Sequence, residues 1–304
     1  LKKQGVFQVK EVNYNELKKG GFMRQVQKDH FSLRLRVVGG RLTSSQLKKI
    51  YEVANKYGKG YVHLTARQGV EIPFIKLQDI EAVKKELSEA GLEPGACGPR
   101  VRTITACQGS SICPNGIIDT TELANECDKR YYAQELPHKF KIGITGCRNN
   151  CLKAEENDLG IKGAIEPEWE ESSCTFCGLC QAVCPAKAIQ IDEKNKKITI
   201  DRDKCTYCGR CVKSCPTNSW KGKPGYLLYF GGMFGNNVAL GKQILPILFS
   251  KEDVHKVIQA TLKFYKKYGK QGERFRNTLE RVGWDIFKKE LEKAIENKGS
   301  DFYE

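Results

Sequence analysis

A chain of 304 residues, 40% hydrophobic and 29% charged, has the composition of a globular protein of two or three small domains. No apolar run approaches the ~20 residues that span a bilayer, and the opening LKKQGVFQVKEVNYNELKKG lacks the apolar centre of a signal peptide, so a cytoplasmic protein without membrane contact is expected. The net charge of +15 comes without a nucleic-acid-binding motif, so nucleic acid is not the expected partner; thiolate clusters, an anionic cofactor or an anionic substrate would offset it.

Residues 31–38, FSLRLRVV, alternate and predict a strand broken by Gly39 and Gly40. TSSQLKKIYEVANKYG (43–58) predicts an amphipathic helix with a Ser/Thr start and a Gly stop. Two short strands follow, YVHLTA (61–66) and VEIPFI (70–75), and then a helix over 77–91. The order β-α-β-β-α is half of a ferredoxin-like α+β sandwich. GLEPGACGP (91–99) reads as a joint. Beyond it the patterning predicts a helix over 119–132, a strand KFKIGIT (139–145), a strand YLLYFGG (226–232) and helices over 251–268 and 276–296. The expected domains are a half-sandwich at 1–96, an α+β domain built from 97–167 and 221–304, and an insert at 168–220.

The insert carries two copies of one motif. CTFCGLCQAVCP holds Cys174, Cys177, Cys180 and Cys184, and CTYCGRCVKSCP holds Cys205, Cys208, Cys211 and Cys215. This is the C-x2-C-x2-C-x3-C-P run of bacterial two-cluster ferredoxins, in which the fourth cysteine of each run ligates the other cluster. One [4Fe–4S] cluster is therefore expected on Cys174, Cys177, Cys180 and Cys215, and a second on Cys205, Cys208, Cys211 and Cys184. Gly178 and Gly209 allow the tight backbone, and Pro185 and Pro216 turn the chain away. Zinc sites usually pair two C-x2-C units across a longer gap. Every thiolate here is used as a ligand, so the insert is expected to transfer electrons. Such thiolates need a reducing compartment.

Four more cysteines are grouped upstream, Cys107 and Cys113 in TACQGSSIC and Cys147 and Cys151 in GCRNNC. Their Gly-rich, small polar flanks favour ligation over core filling, but spacing alone leaves zinc and an iron–sulfur cluster both open. Cys97 and Cys127 stand apart and read as small core hydrophobes. His63, His138 and the remaining histidines show no ligand pattern.

C-x5-C followed by G-C-x3-C resembles the coupled siroheme–[4Fe–4S] site of the siroheme-dependent sulfite and nitrite reductases. The compact form with a ferredoxin insert is most similar to the anaerobic and dissimilatory sulfite reductases. The resemblance implies that Cys107, Cys113, Cys147 and Cys151 hold a third [4Fe–4S] cluster, with Cys151 also the axial ligand of the haem iron. It assigns Arg67 in LTARQ, Arg102 in RTITAC, and Lys139 and Lys141 in LPHKFKIG to binding the substrate oxyanion and supplying protons. Period-2 spacing puts both lysines on one face of a strand, with Phe140 on the other. That pattern also suits two solvated lysines. Arg34 and Arg36, in LRLR, resemble the family's contacts to the porphyrin carboxylates, although the same residues would line the exposed face of a half-buried strand. Arg24, Lys28 and the segment GNNVALGK (235–242), with Lys242, are further candidates.

The resemblance implies six-electron reduction of sulfite to sulfide. Two alternatives stand beside it: a nitrite reductase forming ammonia, and a non-catalytic electron-transfer or siroheme-carrying protein. Relatives specialised for nitrite tend to carry a neutral residue where this chain has Lys141, which tilts the reading towards sulfite. No G-x-G-x-x-G opens a helix after a strand, so electrons are expected from a donor ferredoxin or reductase subunits. Longer relatives contain the repeated unit twice. A single copy predicts a homodimer, with cysteines from one protomer and Arg67, Arg102, Lys139 and Lys141 from the other around each siroheme.

Overall fold

The computed structural model describes residues 12–296, so residues 1–11, considered above for a leader, lie outside it. The chain divides into two units, 1–37 with 42–98 and 38–41 with 99–304.

In the first unit, α1 (Tyr14–Lys19) is capped by the Asn13 side chain, which accepts from the Asn15 and Glu16 amides. Then come β1 (Phe22–Arg24), β2 (His30–Arg34), α2 (Ser44–Tyr57), β3 (His63–Leu64), β4 (Val70–Lys76) and α3 (Ile80–Ser88). The sheet is antiparallel in the order β1-β2-β4-β3. A capping box joins Thr43 and Gln46 at the start of α2. Ile50, Val53, Ile80, Val83 and Leu87 form the helices' apolar stripes and join Phe31, Leu33, Ile72 and Ile75 in one core.

The predicted β-α-β-β-α order is present, with β1 added at the edge. The strand predicted over 31–38 is shorter. Leu35 N–H still donates to the Val70 carbonyl of β4 (2.9 Å), and beyond it the chain turns to the 93–95 segment, as Arg36 N–H donates to the Glu93 carbonyl and Leu35 bridges Pro94. Burial still alternates through Val37, because extended chain keeps its period of two when its ladder partner changes. The first three residues of the helix predicted over 77–91 form a 3-10 turn, and the α-helix proper ends at Ser88.

In the second unit, a four-stranded sheet has the order β10-β7-β6-β5. Its strands are β5 (Thr105–Ala106), β6 (Ile142–Thr145), β7 (Leu159–Trp169) and β10 (Trp220–Phe230). β5, β6 and β7 run parallel, and β10 pairs antiparallel with β7 along its whole length, from Trp220 opposite Trp169 to Phe230 opposite Leu159. The segment between them holds α5 (Leu179–Ala182), the hairpin β8 (Ile189–Asp192) and β9 (Lys197–Ile200), and α6 (Arg210–Ser214). The insert therefore grows from the far end of a long two-stranded ladder. α4 (Thr120–Tyr131), α7 (Lys251–Tyr268), α8 (Phe275–Val282) and α9 (Trp284–Glu296) share the sheet's core. Phe140, Phe264, Tyr265, Phe275 and Phe287 meet there in edge-on and tilted pairs, with ring centroids 4.9–5.9 Å apart.

The single helix predicted over 276–296 is two helices. Gly283, at φ +114°, takes a backbone conformation that other residues avoid and breaks the run. The strand predicted over 139–145 begins at Ile142, and β7 has no counterpart among the predicted strands. Among the described residues, no helix is long and apolar enough to cross a membrane.

Candidate metal centres and anion site

Adjacent parallel strands bring the upstream cysteines together. β5 and β6 pair in register, and Cys107 and Cys147 each follow closely on a strand end. The Gly146 amide donates to Cys107 Sγ at 3.0 Å. A side chain at Gly146 would not fit, since its Cβ would lie 2.9 Å from Gly109 Cα. Cys113 closes a tight turn through its amide to the Gly109 carbonyl (2.8 Å). Burial pushes the Cys147 thiol up, and Cys107, Cys113 and Cys151 add to the effect, which places all four in one neighbourhood. Cys151 is the exposed member. Among the described residues, no three His, Cys, Asp or Glu side chains are grouped closely enough to hold a single metal ion.

The insert's cysteines gather as two exchanged quartets. Cys174, Cys177, Cys180 and Cys215 line one pocket with Ile191, Ile198 and Trp220. Cys184, Cys205, Cys208 and Cys211 line another with Pro167, Ile189 and Ile200. The repeat in sequence is a repeat in geometry. Phe176 N–H donates to Cys174 Sγ and Tyr207 N–H to Cys205 Sγ, each at 3.4 Å. Phe176 and Tyr207 are left-handed (φ +52° and +54°), as are Gly178 and Gly209 (φ +78° and +68°). Burial raises the thiols of Cys180, Cys205 and Cys211, the last to about 12. For Cys215 burial acts in the same direction, but hydrogen bonds from Thr217 and neighbouring amides outweigh it and lower the thiol.

Three of the four predicted anion-binding residues fall together in the second unit. Arg102 N–H donates to the Phe140 carbonyl (2.9 Å), and Phe140 N–H donates to the Arg100 carbonyl (3.1 Å). Lys139 and Lys141 are half-buried on either side of the fully buried Phe140. The expected alternation holds although the segment is an isolated bridge to Val101 rather than a regular strand. Two residues that the sequence does not single out anchor it. Buried Asp158 accepts the Lys141 amide on Oδ2 and Arg274 Nη2 on Oδ1, both at 2.9 Å. His138 is held below the usual histidine range by burial, then by Arg274, Lys139 and Arg102, with Asp158 opposing. Arg67 belongs to the first unit. It sits in the turn between β3 and β4, which Thr65 ties by accepting the Gly69 amide on its hydroxyl (3.0 Å).

Arg34 and Arg36 lie on the outward side of the alternating segment and pair with Glu71 and Glu93. Exposed pairs of this kind contribute about 0–1 kcal/mol, so exchanging a protein carboxylate for another would cost little. Arg24 stacks on Tyr14 and Lys242 on Trp284, each at 4.9 Å from the ring centre. Cys97 and Cys127 are buried, as expected of core thiols.

Residues 97–298 match the family described as "Nitrite and sulphite reductase 4Fe-4S domain", and residues 23–90 the "Nitrite/Sulfite reductase ferredoxin-like half domain". The "Coenzyme F420-dependent sulfite reductase" of Methanocaldococcus jannaschii is 36% identical over 92% of this chain, which spans 45% of that protein's length. A subunit of the anaerobic sulfite reductase of Salmonella typhimurium is 34% identical over 77% of this chain and 74% of its own. In fold, the chain is similar to a crystal structure of dissimilatory sulfite reductase I, with a TM-score of 0.70 at 18% identity, covering 90% of this chain and 73% of the other.

Proposed function

Because the chain belongs to the nitrite and sulphite reductase family, we propose that it is the siroheme-binding catalytic chain of a sulfite reductase. Hydrogensulfite, six electrons and six protons give hydrosulfide and three waters. The observation that carries this reading is a single chain segment: Lys139 and Lys141 lead directly into β6, and Cys147 follows two residues after β6 ends, next to the Gly146 amide that donates to Cys107 Sγ.

The residues suit the cofactors. Amide donors aimed at the sulfurs of Cys107, Cys174 and Cys205 are what ionised thiolates need in place of water. Cys107, Cys113, Cys147 and Cys151 would hold one [4Fe–4S] cluster, Cys151 would also help to hold the siroheme, and the exchanged quartets would hold the other two clusters. Bound siroheme and its cluster supply the redox chemistry. The chain's own residues supply charge and protons. Arg102, Lys139 and Lys141 would bind the anion, and burial, reinforced by the cations around it, makes His138 give up its proton more readily than an ordinary histidine. Arg67 would join them, with Arg34 and Arg36 on the cofactor's carboxylates. A homodimer would place cysteines of one protomer and the basic set of the other around each haem. A donor ferredoxin or reductase subunits would deliver electrons to the insert.

Siroheme absorption in the anaerobically purified protein, together with sulfide formed from sulfite and a low-potential donor, is the expected result. Holoprotein that forms no sulfide would overturn the proposal. Nitrite is the second reading, favoured by the scope of the family itself. Lys141→Asn is expected to shift relative kcat/KM from sulfite towards nitrite, and an unchanged ratio would remove Lys141 from substrate choice.

A further inference from the structure

Lys162 lies within β7 in the buried run LGIKGAI, and its side chain is only 2% exposed. A buried ammonium is costly unless it is paired. Lys162 pairs with Glu155 and lies 4.6 Å from the centre of the Tyr229 ring. Burial and then Arg148 push it down to about 7.

The contacts continue outward to one loop. Glu155 accepts from Asn150 Nδ2 at 2.5 Å, and Asn150 Oδ1 accepts the Ala154 amide at 2.9 Å. Arg148, in the same loop, donates to the Tyr229 hydroxyl at 2.8 Å. Asn150 immediately precedes Cys151 and is left-handed (φ +54°), as is Lys153 two residues after it (φ +52°). Non-glycine residues hold such conformations where their surroundings over-determine them.

We infer that Lys162, Glu155 and Asn150 form a chain of contacts, running from the buried Lys162 to the partly buried Asn150, that fixes the Cys147–Cys151 loop and makes Lys162 a positioning residue for the Cys151 sulfur. Lys162 aims the Glu155 carboxylate, the carboxylate holds the Asn150 amide, and Asn150 sets the turn from which Cys151 projects. The inference rests on Cys147 and Cys151 being ligands, as proposed above.

The test uses the full chain, isolated anaerobically, as Asn150→Ala, Lys162→Met and the double variant Lys162→Met/Glu155→Leu. The haem-coupled centre is followed by its absorption and EPR signals, and its iron by loss to a chelator, separately from the insert's clusters. Asn150→Ala and Lys162→Met are each expected to alter the coupled EPR signal and to speed iron loss from that centre about tenfold or more, a change of about 1.4 kcal/mol. The insert's clusters should be unaffected. The apolar double variant should melt like the parent, since a buried pair can be replaced by apolar residues without loss, yet keep the altered signal. Recovery of the parent's signal in the double variant would make the pair purely structural and overturn the inference, as would a parental signal and parental iron loss in Asn150→Ala. Asn150→Ala leaves the buried pair intact, so it decides the matter even if Lys162→Met does not fold. Absence of siroheme from the parent itself would overturn the functional proposal and this inference together, whereas failure confined to the variants overturns the inference alone.

Discussion

Asp158 is where a single change should be felt both in stability and at the lysines proposed to bind the anion. It is fully buried, and its two oxygens hold the Lys141 amide and the Arg274 guanidinium, each at 2.9 Å. Asp158→Ala leaves a guanidinium only 15% exposed without its counter-charge. Removing one partner of a buried pair costs about 3–5 kcal/mol. The stranded amide adds to this, but not in full, because both contacts use one carboxylate. With about 4 kcal/mol lost, and an unfolding entropy of about 2.1 cal/mol/K for each of 304 residues, Tm should fall by roughly 6 °C. Lys141 should lose its fixed position at the same time. Loosening one charged contact to the anion, at about 1.5–3 kcal/mol, predicts a fall in kcat/KM for sulfite of roughly 10–150-fold, mostly through KM. Asp158→Asn keeps an acceptor and should fall between. The assays are anaerobic calorimetry and sulfite-dependent oxidation of a reduced low-potential dye. A melting temperature within a degree of the parent's, or unchanged sulfite kinetics in folded protein, would refute the reasoning.

The exchanged quartets make a selective prediction. Cys184→Ser should remove or convert the cluster of Cys205, Cys208 and Cys211 and spare that of Cys174, Cys177 and Cys180, as read by iron content and EPR; damage confined to the first motif's cluster would contradict the exchange. Acid should weaken the α4–α7 contact, where buried His255 places Nε2 2.9 Å from Glu126 and Nδ1 3.2 Å from the Tyr131 hydroxyl. Burial holds His255 below its ordinary value of 6.5, with Arg130 and Lys251 acting in the same direction and Glu126 opposing. The unfolded chain then binds a proton that the folded chain refuses, so stability is highest above about pH 6.5 and falls as pH drops below it. Urea midpoints at pH 7.5 and 5.5 should differ in the parent and less so in His255→Gln; equal differences would remove His255 from the acid response.

The features legible in the sequence are those that short-range spacing determines. The cysteine motifs, the α2 cap and the Lys139–Phe140–Lys141 alternation depend on neighbours a few residues apart. The alternation survives without a regular ladder because extended chain alone produces it. β7 was invisible for the opposite reason. It is buried on both faces, so it does not alternate, and Gly160, Gly163 and Lys162 interrupt the continuous apolar run that would otherwise betray a covered strand. Asp158 and Arg274 meet across 116 residues, and nothing near either one announces the other. The same holds for Lys162, a residue type that a strand normally turns to solvent. The residues proposed to touch ligands were therefore readable, while the buried charges packed behind them were not. A ligand's chemistry selects residue types at fixed local intervals. A buried charge is defined only by the partner that folding brings to it.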